Sequence, residues 1–224
     1  WRQLPLLLKR RRLRLPMTQY IQLNEHFLTR DEERLLLRIA RDSMTSWVTH
    51  HSRIDLSGYE LTNTLKEPHG AFVTLRVGRD LRGCIGYTQN KEPLARSVME
   101  NAINASTNDP RFDPVQPDEL PRITIEISAL TPGDIPDSPF RNVRSLEEIV
   151  IGRDGLYIEI PPYRGGLLLP QVASERGWNV EQFLRAVCQK AGYPDNAWEM
   201  PEARLFRFSA QVFPAARTPS APTQ

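Results

Sequence analysis

The order of elements in this sequence predicts an α+β fold, and three observations carry it. Capping boxes, in which a short polar side chain and an acid or amide three residues on satisfy free N–H groups reciprocally, mark helix starts at Thr29–Glu32, Ser145–Glu148 and Asn179–Gln182. Two-residue alternation of apolar and polar side chains over 71–77 and 123–129 marks half-buried strands. Helices and strands do not alternate strictly as βαβ units, so a doubly wound parallel sheet is not expected.

The elements follow in order. Leu35, Leu36, Ile39, Ala40, Met44 and Trp47 recur at helical spacing, which predicts a helix over 30–49. The polar, turn-rich stretch 50–70 reads as a loop. Ala71, Val73, Leu75 and Val77 share one strand face, and Gly78-Arg79-Asp80 connects them to a returning strand over 81–87. A helix over 93–106 turns Leu94, Val98, Ala102 and Ala105 inward. It ends at Asn108-Asp109-Pro110, because the residue before a proline is pushed out of the α region. On the next strand Ile123, Ile125, Ile127 and Ala129 point one way and Thr124, Glu126 and Ser128 the other. The three prolines of 131–139 mark a boundary or crossover. A short helix follows Ser145, then strands over 155–160 and 166–169. The last helix starts at Asn179, with Trp178 stapled to Phe183, and ends near Lys190 and Gly192. A final strand over 205–213 turns Phe206, Phe208, Ala210 and Val212 inward. The folded body is thus expected over 25–213, between a basic head, 1–24, and a disordered tail, 214–224.

Composition narrows the class. A chain of 224 residues, 40% hydrophobic and 25% charged, is globular and near the size limit of one core, so one domain or two closely packed lobes both fit. No run of about 18 apolar residues exists, so no membrane span is expected. The net charge of +2 hides an asymmetry: residues 1–16 hold six Lys and Arg and no acid. The other 23 basic residues face 27 acidic ones, a net of −4. A mildly acidic body argues against nucleic acid as its partner. The head reads as sequence upstream of a start at Met17, as a basic tail for acidic surfaces, or as a targeting peptide. Against the last, Leu6-Leu7-Leu8 is too short for a signal core and the Arg run follows it. Two distant cysteines, Cys84 and Cys188, form no disulfide framework, and a reducing cytoplasm is the expected location. There is no CxxC, HExxH or three-cysteine cluster, so neither a metal nor any other cofactor is expected.

Chemistry concentrates in two segments. In Leu81-Arg82-Gly83-Cys84-Ile85-Gly86, strand alternation would put Arg82 and Cys84 on one face, where a guanidinium favours the reactive thiolate. The flanking glycines Gly83 and Gly86 admit a close approach by a ligand or backbone. The competing reading is that Cys84 is a small buried hydrophobe, as free cysteines mostly are. In Asp109-Pro110-Arg111-Phe112, Arg111 together with Arg82 could hold a carboxylate or phosphate. The alternative is a helix-ending turn with an Asp109–Arg111 pair. Thr124, Glu126 and Ser128 form either the wall of a site or the solvated side of a sheet. Cys188, beside Leu184, Val187 and Ala191, reads as core.

These segments resemble a family signature. Gly70 to Leu75, Leu81 to Gly86, Asn108 to Phe112, Ile125 to Ser128, Gly152 to Leu156, Leu169 to Val172 and Lys190 to Gly192 are similar, in order and spacing, to the AMMECR-one domain family, also called AmmeMemoRadiSam system protein A. The likeness covers residues 30–213. It implies two unequal lobes, each a mainly antiparallel sheet with packed helices, with the site in the cleft between them. The resemblance points to Cys84, Arg82 and Asp109-Arg111 as functional and supplies no mechanism; with the residue chemistry above, the candidate catalytic residues are Cys84, Arg82 and Glu126, and the candidate ligand contacts are Gly83, Gly86, Asp109, Arg111, Ser128 and Gln171. It also implies a Memo-like protein and a radical-SAM enzyme as partners. Tyr193 departs from the apolar residue usual in the family at that place.

Two functions follow from different classes. One is a component that binds the Memo-like protein, the radical-SAM enzyme or their product, without catalysis of its own. The other is an enzyme in which Cys84 is a nucleophile or redox thiol, Arg82 lowers its pKa, Glu126 carries a proton and Arg111 binds an anionic small substrate. A Cys84 reachable from a cleft favours the enzyme. A Cys84 walled in by Phe72 and Ile85 favours the binding component.

Overall fold

The computed structural model describes residues 27–89, 91–135, 138–161 and 164–214; the expectations for the basic head and for the tail beyond Pro214 lie outside them. Helix α1 (Arg30–His50) starts where its capping box predicts: the Thr29 hydroxyl accepts from the Glu32 N–H, and the Glu32 carboxylate accepts from the Thr29 N–H at 2.8 Å. It stops at His51, whose left-handed φ of 51° closes the last turn. The expected loop that follows contains one helical turn, α2 (Asn63–Lys66). Strands β1 (Ala71–Val77) and β2 (Asp80–Tyr87) form the hairpin, and α3 (Leu94–Thr107) packs behind it. Then come β3 (Ile123–Leu130), the two-residue β4 (Arg141–Asn142), β5 (Asp154–Ile160), β6 (Arg164–Leu168), α4 (Pro170–Glu175), α5 (Val180–Lys190) and β7 (Arg204–Pro214).

Two expectations are corrected. The box at Ser145 supports only a single 3-10 turn, Leu146–Glu148, because the Ser145 hydroxyl accepts from Glu147 and not from Glu148. Helix α4 was not expected; its proline at N1 needs no N–H partner and presets φ for a helix.

The described strands form one antiparallel sheet in the order β2-β1-β3-β7-β5-β6, with β4 on β7. The long β7 joins its two halves. Ala210–Pro214 pairs with β3 and Arg204–Ser209 with β5. One apolar cluster lies under α1 and α3, with Leu36, Ile39, Met44, Val98 and Ile127 among its buried members. A second gathers Leu156, Ile158, Phe183 and Val187 of β5 and α5. Each such buried side chain contributes roughly 1.5–3 kcal/mol. Leu205 packs on the second cluster and Phe213 belongs to the first. Eight residues apart on one strand, they share a face, so both sets of helices lie on the same side of the sheet.

The opposite face carries neither of these helix sets and is the more open one; there Phe140 stacks on Tyr157 at 4.7 Å and contacts Phe206 and Phe208, and Gln171 of the short α4 reaches Ser128. This explains a further correction. Phe206 and Phe208 are buried as expected, but Val212 is 41% exposed, and Gln211 and Phe213 are the buried residues of that end. The aromatic cover ends before Ala210, so burial passes to the helix side.

Candidate functional site

The open face holds a groove of about 1050 Å³ into which both edge strands of the sheet, β2 and β6, project residues. Its floor comes from the β1 face that alternation leaves over: Phe72, Thr74 and Arg76, opposite the helix-facing Val73 and Leu75. The far wall comes from Gly165 to Leu169 and from Gln171, Val172 and Glu175 of α4. The Arg76 guanidinium reaches Glu175 across it at 3.8 Å.

Cys84 lines this groove and is half-buried. Its Sγ accepts from the Thr74 hydroxyl at 3.3 Å, its cross-strand partner. Its backbone is held on both sides. The Cys84 N–H donates to Asp109 Oδ2 at 2.8 Å, and the Cys84 carbonyl accepts from Arg111 Nη2 at 3.2 Å. Asp109 and Arg111 are themselves joined at 2.7 and 2.9 Å. The pair thus stands in for a neighbouring strand on the edge of β2, where backbone groups would otherwise lack partners. Asp109 is buried, and chiefly the Arg111 hydrogen bonds hold its carboxyl down at about 2. The two sequence segments in which the chemistry concentrates are therefore one physical unit.

Burial pushes the Cys84 thiol up; the Thr74 hydroxyl and the Arg111 charge pull it back, while Asp109 and Glu126 push it further. The thiol is accordingly neutral near pH 7. Glu126 is opposite Thr74 on β3, so Cys84, Thr74 and Glu126 form one row across three strands. Burial raises the Glu126 carboxyl as well, against the pull of Arg76 and with a push from Glu175. The next row is Gly86, Phe72 and Ser128. Ser128 is buried, and its hydroxyl accepts from Gln171 Nε2 at 3.3 Å, while Gln171 Oε1 is buried without a partner among the described residues. The polar stripe of β3 is half-buried or buried and so is not a solvated sheet face, but Thr124, Glu126 and Ser128 lie beneath the groove and do not line it.

Arg82 and Gly83 lie elsewhere. The β1–β2 register slips between Leu75 and Arg76: Gly83 faces Leu75 but Leu81 faces Arg76, which leaves Arg82 as the extra residue of a bulge. The bulge breaks the alternation that put Arg82 beside Cys84. Arg82 instead forms a two-pronged pair with Glu119, at 2.8 and 2.9 Å, and donates to the Asp113 carbonyl. That pairing holds the Glu119 carboxyl at about 2, and Arg82 has no part in the Cys84 shift. Gly83 is buried against α3, where a Cβ would run into the Ala105 carbonyl oxygen. Arg111 lines the groove, but its charge is engaged by Asp109 and is not a free anion receptor. The groove cations without an ion pair among the described residues are Lys91 and Lys190. Lys91 carried no motif, and Lys190 stood in a signature segment without being singled out as a contact, so the fold brings them here. Cys188 is fully buried, as expected of core.

Among the described residues no group of three or more His, Cys, Asp or Glu could hold a metal ion. No described helix is long and apolar enough to cross a membrane.

An antiparallel sheet with helices on one face and a strapped cysteine in a groove on the other defines a class, and the comparisons give it a family. The AMMECR1 family model matches residues 37–213, and the chain belongs to that family. A protein of Methanothermobacter thermautotrophicus is 44% identical over 188 residues, 83% of this chain and 95% of that one. A protein of Thermococcus kodakarensis is 41% identical over 80% of this chain and 87% of its own length. The crystal structure of an uncharacterised protein from Pyrococcus horikoshii superposes with a TM-score of 0.72 at 33% identity, covering 80% of this chain and 89% of that one.

Proposed function

We propose that this AMMECR1-family protein binds a small organic ligand in the groove and acts on it through the Cys84 thiol. The observation that carries the reading is the strap: Asp109 and Arg111 fix both backbone polar groups of a half-buried cysteine that faces open space. The strap covers the open edge of β2 at the cysteine itself, and so fixes the peptide that carries the groove-lining thiol. Positioning of this kind is what a reacting group needs, because misplacement of about 1 Å costs orders of magnitude in rate.

The thiol is a resting nucleophile. A ligand that presents an electrophilic carbon beside Sγ makes loss of the proton favourable. The S–H bond breaks, its proton passes to the Glu126 carboxylate in the same cross-strand row, the sulfur lone pair forms the bond to carbon, and the electron pair of the C=O or C=C π bond attacked moves to its far atom. Burial raises the Glu126 carboxyl, which makes its carboxylate a stronger proton acceptor than an exposed one. On this reading the Memo-like protein and the radical-SAM enzyme implied by the resemblance supply the ligand or consume what is made of it.

The test is mass spectrometry on protein isolated natively from cells. Wild type should carry a small molecule, either as a mass increment on the peptide containing Cys84 or as a species released on denaturation, and Cys84→Ala should lack it. Identical small-molecule contents in the two proteins, with Cys84 unmodified, would overturn the proposal.

A further inference from the structure

We propose that the groove takes a planar nitrogen heteroaromatic ring bearing an acidic group, with Phe72 as the platform on which the ring stacks. This rests on reading the groove as a ligand site and names the class of ligand.

Three neighbouring features argue for it. The first is the attitude of Phe72. It pairs with Gly86 in register, and a Cβ at Gly86 would fall on the Phe72 Cγ and Cδ1 atoms. The phenyl ring therefore leans over the bare Gly86, where no side chain of that row of β2 stands between it and the groove it lines. Phe72 is half-buried, and no aromatic side chain among the described residues stacks on it, whereas Tyr157 on the other wall is already covered by Phe140. An aromatic face left bare in a concave site is suited to stack on another planar ring.

The second is an unanswered acceptor beside that platform. Ser128 is the partner of Phe72 on β3, and Gln171 donates to the Ser128 hydroxyl. The other atom of the same amide, Oε1, is buried with nothing to accept from. Buried polar atoms are nearly always satisfied, and a small turn of the half-buried Gln171 side chain on the groove wall brings Oε1 to a donor supplied from the groove. A ring N–H or a ring amino group in the plane of a stacked heteroaromatic supplies one.

The third is charge. Arg76 and Arg111 are engaged by Glu175 and Asp109, whereas Lys91 and Lys190 line the groove and form no ion pair among the described residues. Lys91 follows the end of β2 at Tyr87, on the Phe72 side of the Cys84 row. An acidic substituent on the ring would meet these uncommitted ammonium groups. The arrangement places the ring one row from Sγ, so that an electrophilic carbon attached to the ring falls at the thiol.

The test is calorimetric titration of the full chain with four probes in two pairs. AMP and indole-3-acetate carry a nitrogen ring and an acid; ribose 5-phosphate and hexanoate carry the acid without the ring. Each ring-bearing probe should bind tenfold or more tighter than its ringless counterpart, the scale of a single stacking contact. AMP favoured over indole-3-acetate would indicate a nucleotide, and the reverse an aryl acid; both support the class. Phe72→Leu, which keeps apolar bulk but has no ring, should erase the advantage, Phe72→Tyr should keep it, and Gln171→Leu should weaken the ring probes alone. Equal binding of ring and ringless probes, no binding of any probe at millimolar concentration, or an advantage undiminished in Phe72→Leu would overturn the proposal. If Phe72→Leu fails to fold, Phe72→Met against Phe72→Tyr makes the same comparison. Probe binding is non-covalent, so its loss is distinguishable from failure of the thiol chemistry, which is read as an adduct on Cys84.

Discussion

Replacing Asp109 by alanine should cost the fold about 2–4 kcal/mol, and the structure apportions the loss. The carboxylate accepts from the Cys84 N–H at 2.8 Å in a buried position. Orphaning a buried N–H costs about 1–3 kcal/mol. The Arg111 guanidinium is 54% exposed, so it can turn to water when its partner is lost, and that part adds about 1 kcal/mol. Asp109→Asn keeps an acceptor for Cys84 and loses only the charge, so about 1 kcal/mol is expected. The two variants also separate by pH. The folded-state carboxyl is held at about 2, below its usual 3.8. A depressed acid stabilises the fold above its unfolded value, and the contribution is lost as pH falls from 3.8 through 2. The gap is worth at most about 2.5 kcal/mol before screening by solvent around Arg111. Urea unfolding at pH 7 and at a series of values down to pH 2 measures both effects. The stability difference between wild type and Asp109→Asn should shrink toward zero across that window. A loss below about 1 kcal/mol for Asp109→Ala, or a wild-type advantage over Asp109→Asn that stays constant down to pH 2, would refute the strap.

Other expectations follow from single contacts. Gly83→Ala should destabilise by about 2 kcal/mol or more, because the added methyl meets the Ala105 carbonyl and backbone cannot yield as a side chain can; thermal melting reads this. Arg82→Ala should remove the Glu119 pair and lower stability, while leaving the pH profile of Cys84 alkylation where it was, since Arg82 lies outside the groove. A shift of that profile by a full unit would mean the bulge is misplaced. Cys188→Ser should cost about 1–3 kcal/mol in denaturant unfolding, from a hydroxyl buried in an apolar cluster.

Much of the fold was legible because local signals and tertiary structure agree. The caps at Thr29 and Asn179 and the alternation of 71–77 and 123–129 each mark an element that forms within a residue or two of the expected bounds. What was not legible depends on pairing. The bulge at Arg82 is a property of two strands, and no residue of β2 announces it. The face of β7 that is buried changes near Ala210 because Phe140, far away in sequence, covers only the first half. The groove was legible in part. Cys84, Gly86, Asp109, Arg111 and Gln171 do line it. Arg82 and Gly83 face away because their neighbours, Glu119 and Ala105, come from other elements. Phe72, Thr74 and Arg76 could have been found as the complement of the inward face of β1. Lys91 could not, because an exposed lysine carries no pattern, and Lys190 belonged to a signature segment in which nothing says that it faces the groove.

The central claim is that Cys84 is a reachable thiol held in the groove and resting in its neutral form. Alkylation of the native protein with iodoacetamide, read peptide by peptide as a function of pH, tests it most directly. Burial raises the Cys84 thiol, so its rate at pH 7 should fall below that of an exposed cysteine and should climb as pH passes above the usual value of 9.0. Cys188, fully buried, should react only on unfolding. Native labelling confined to Cys84, with that rise, is the predicted result; equal protection of both cysteines up to the pH at which the protein unfolds would contradict it.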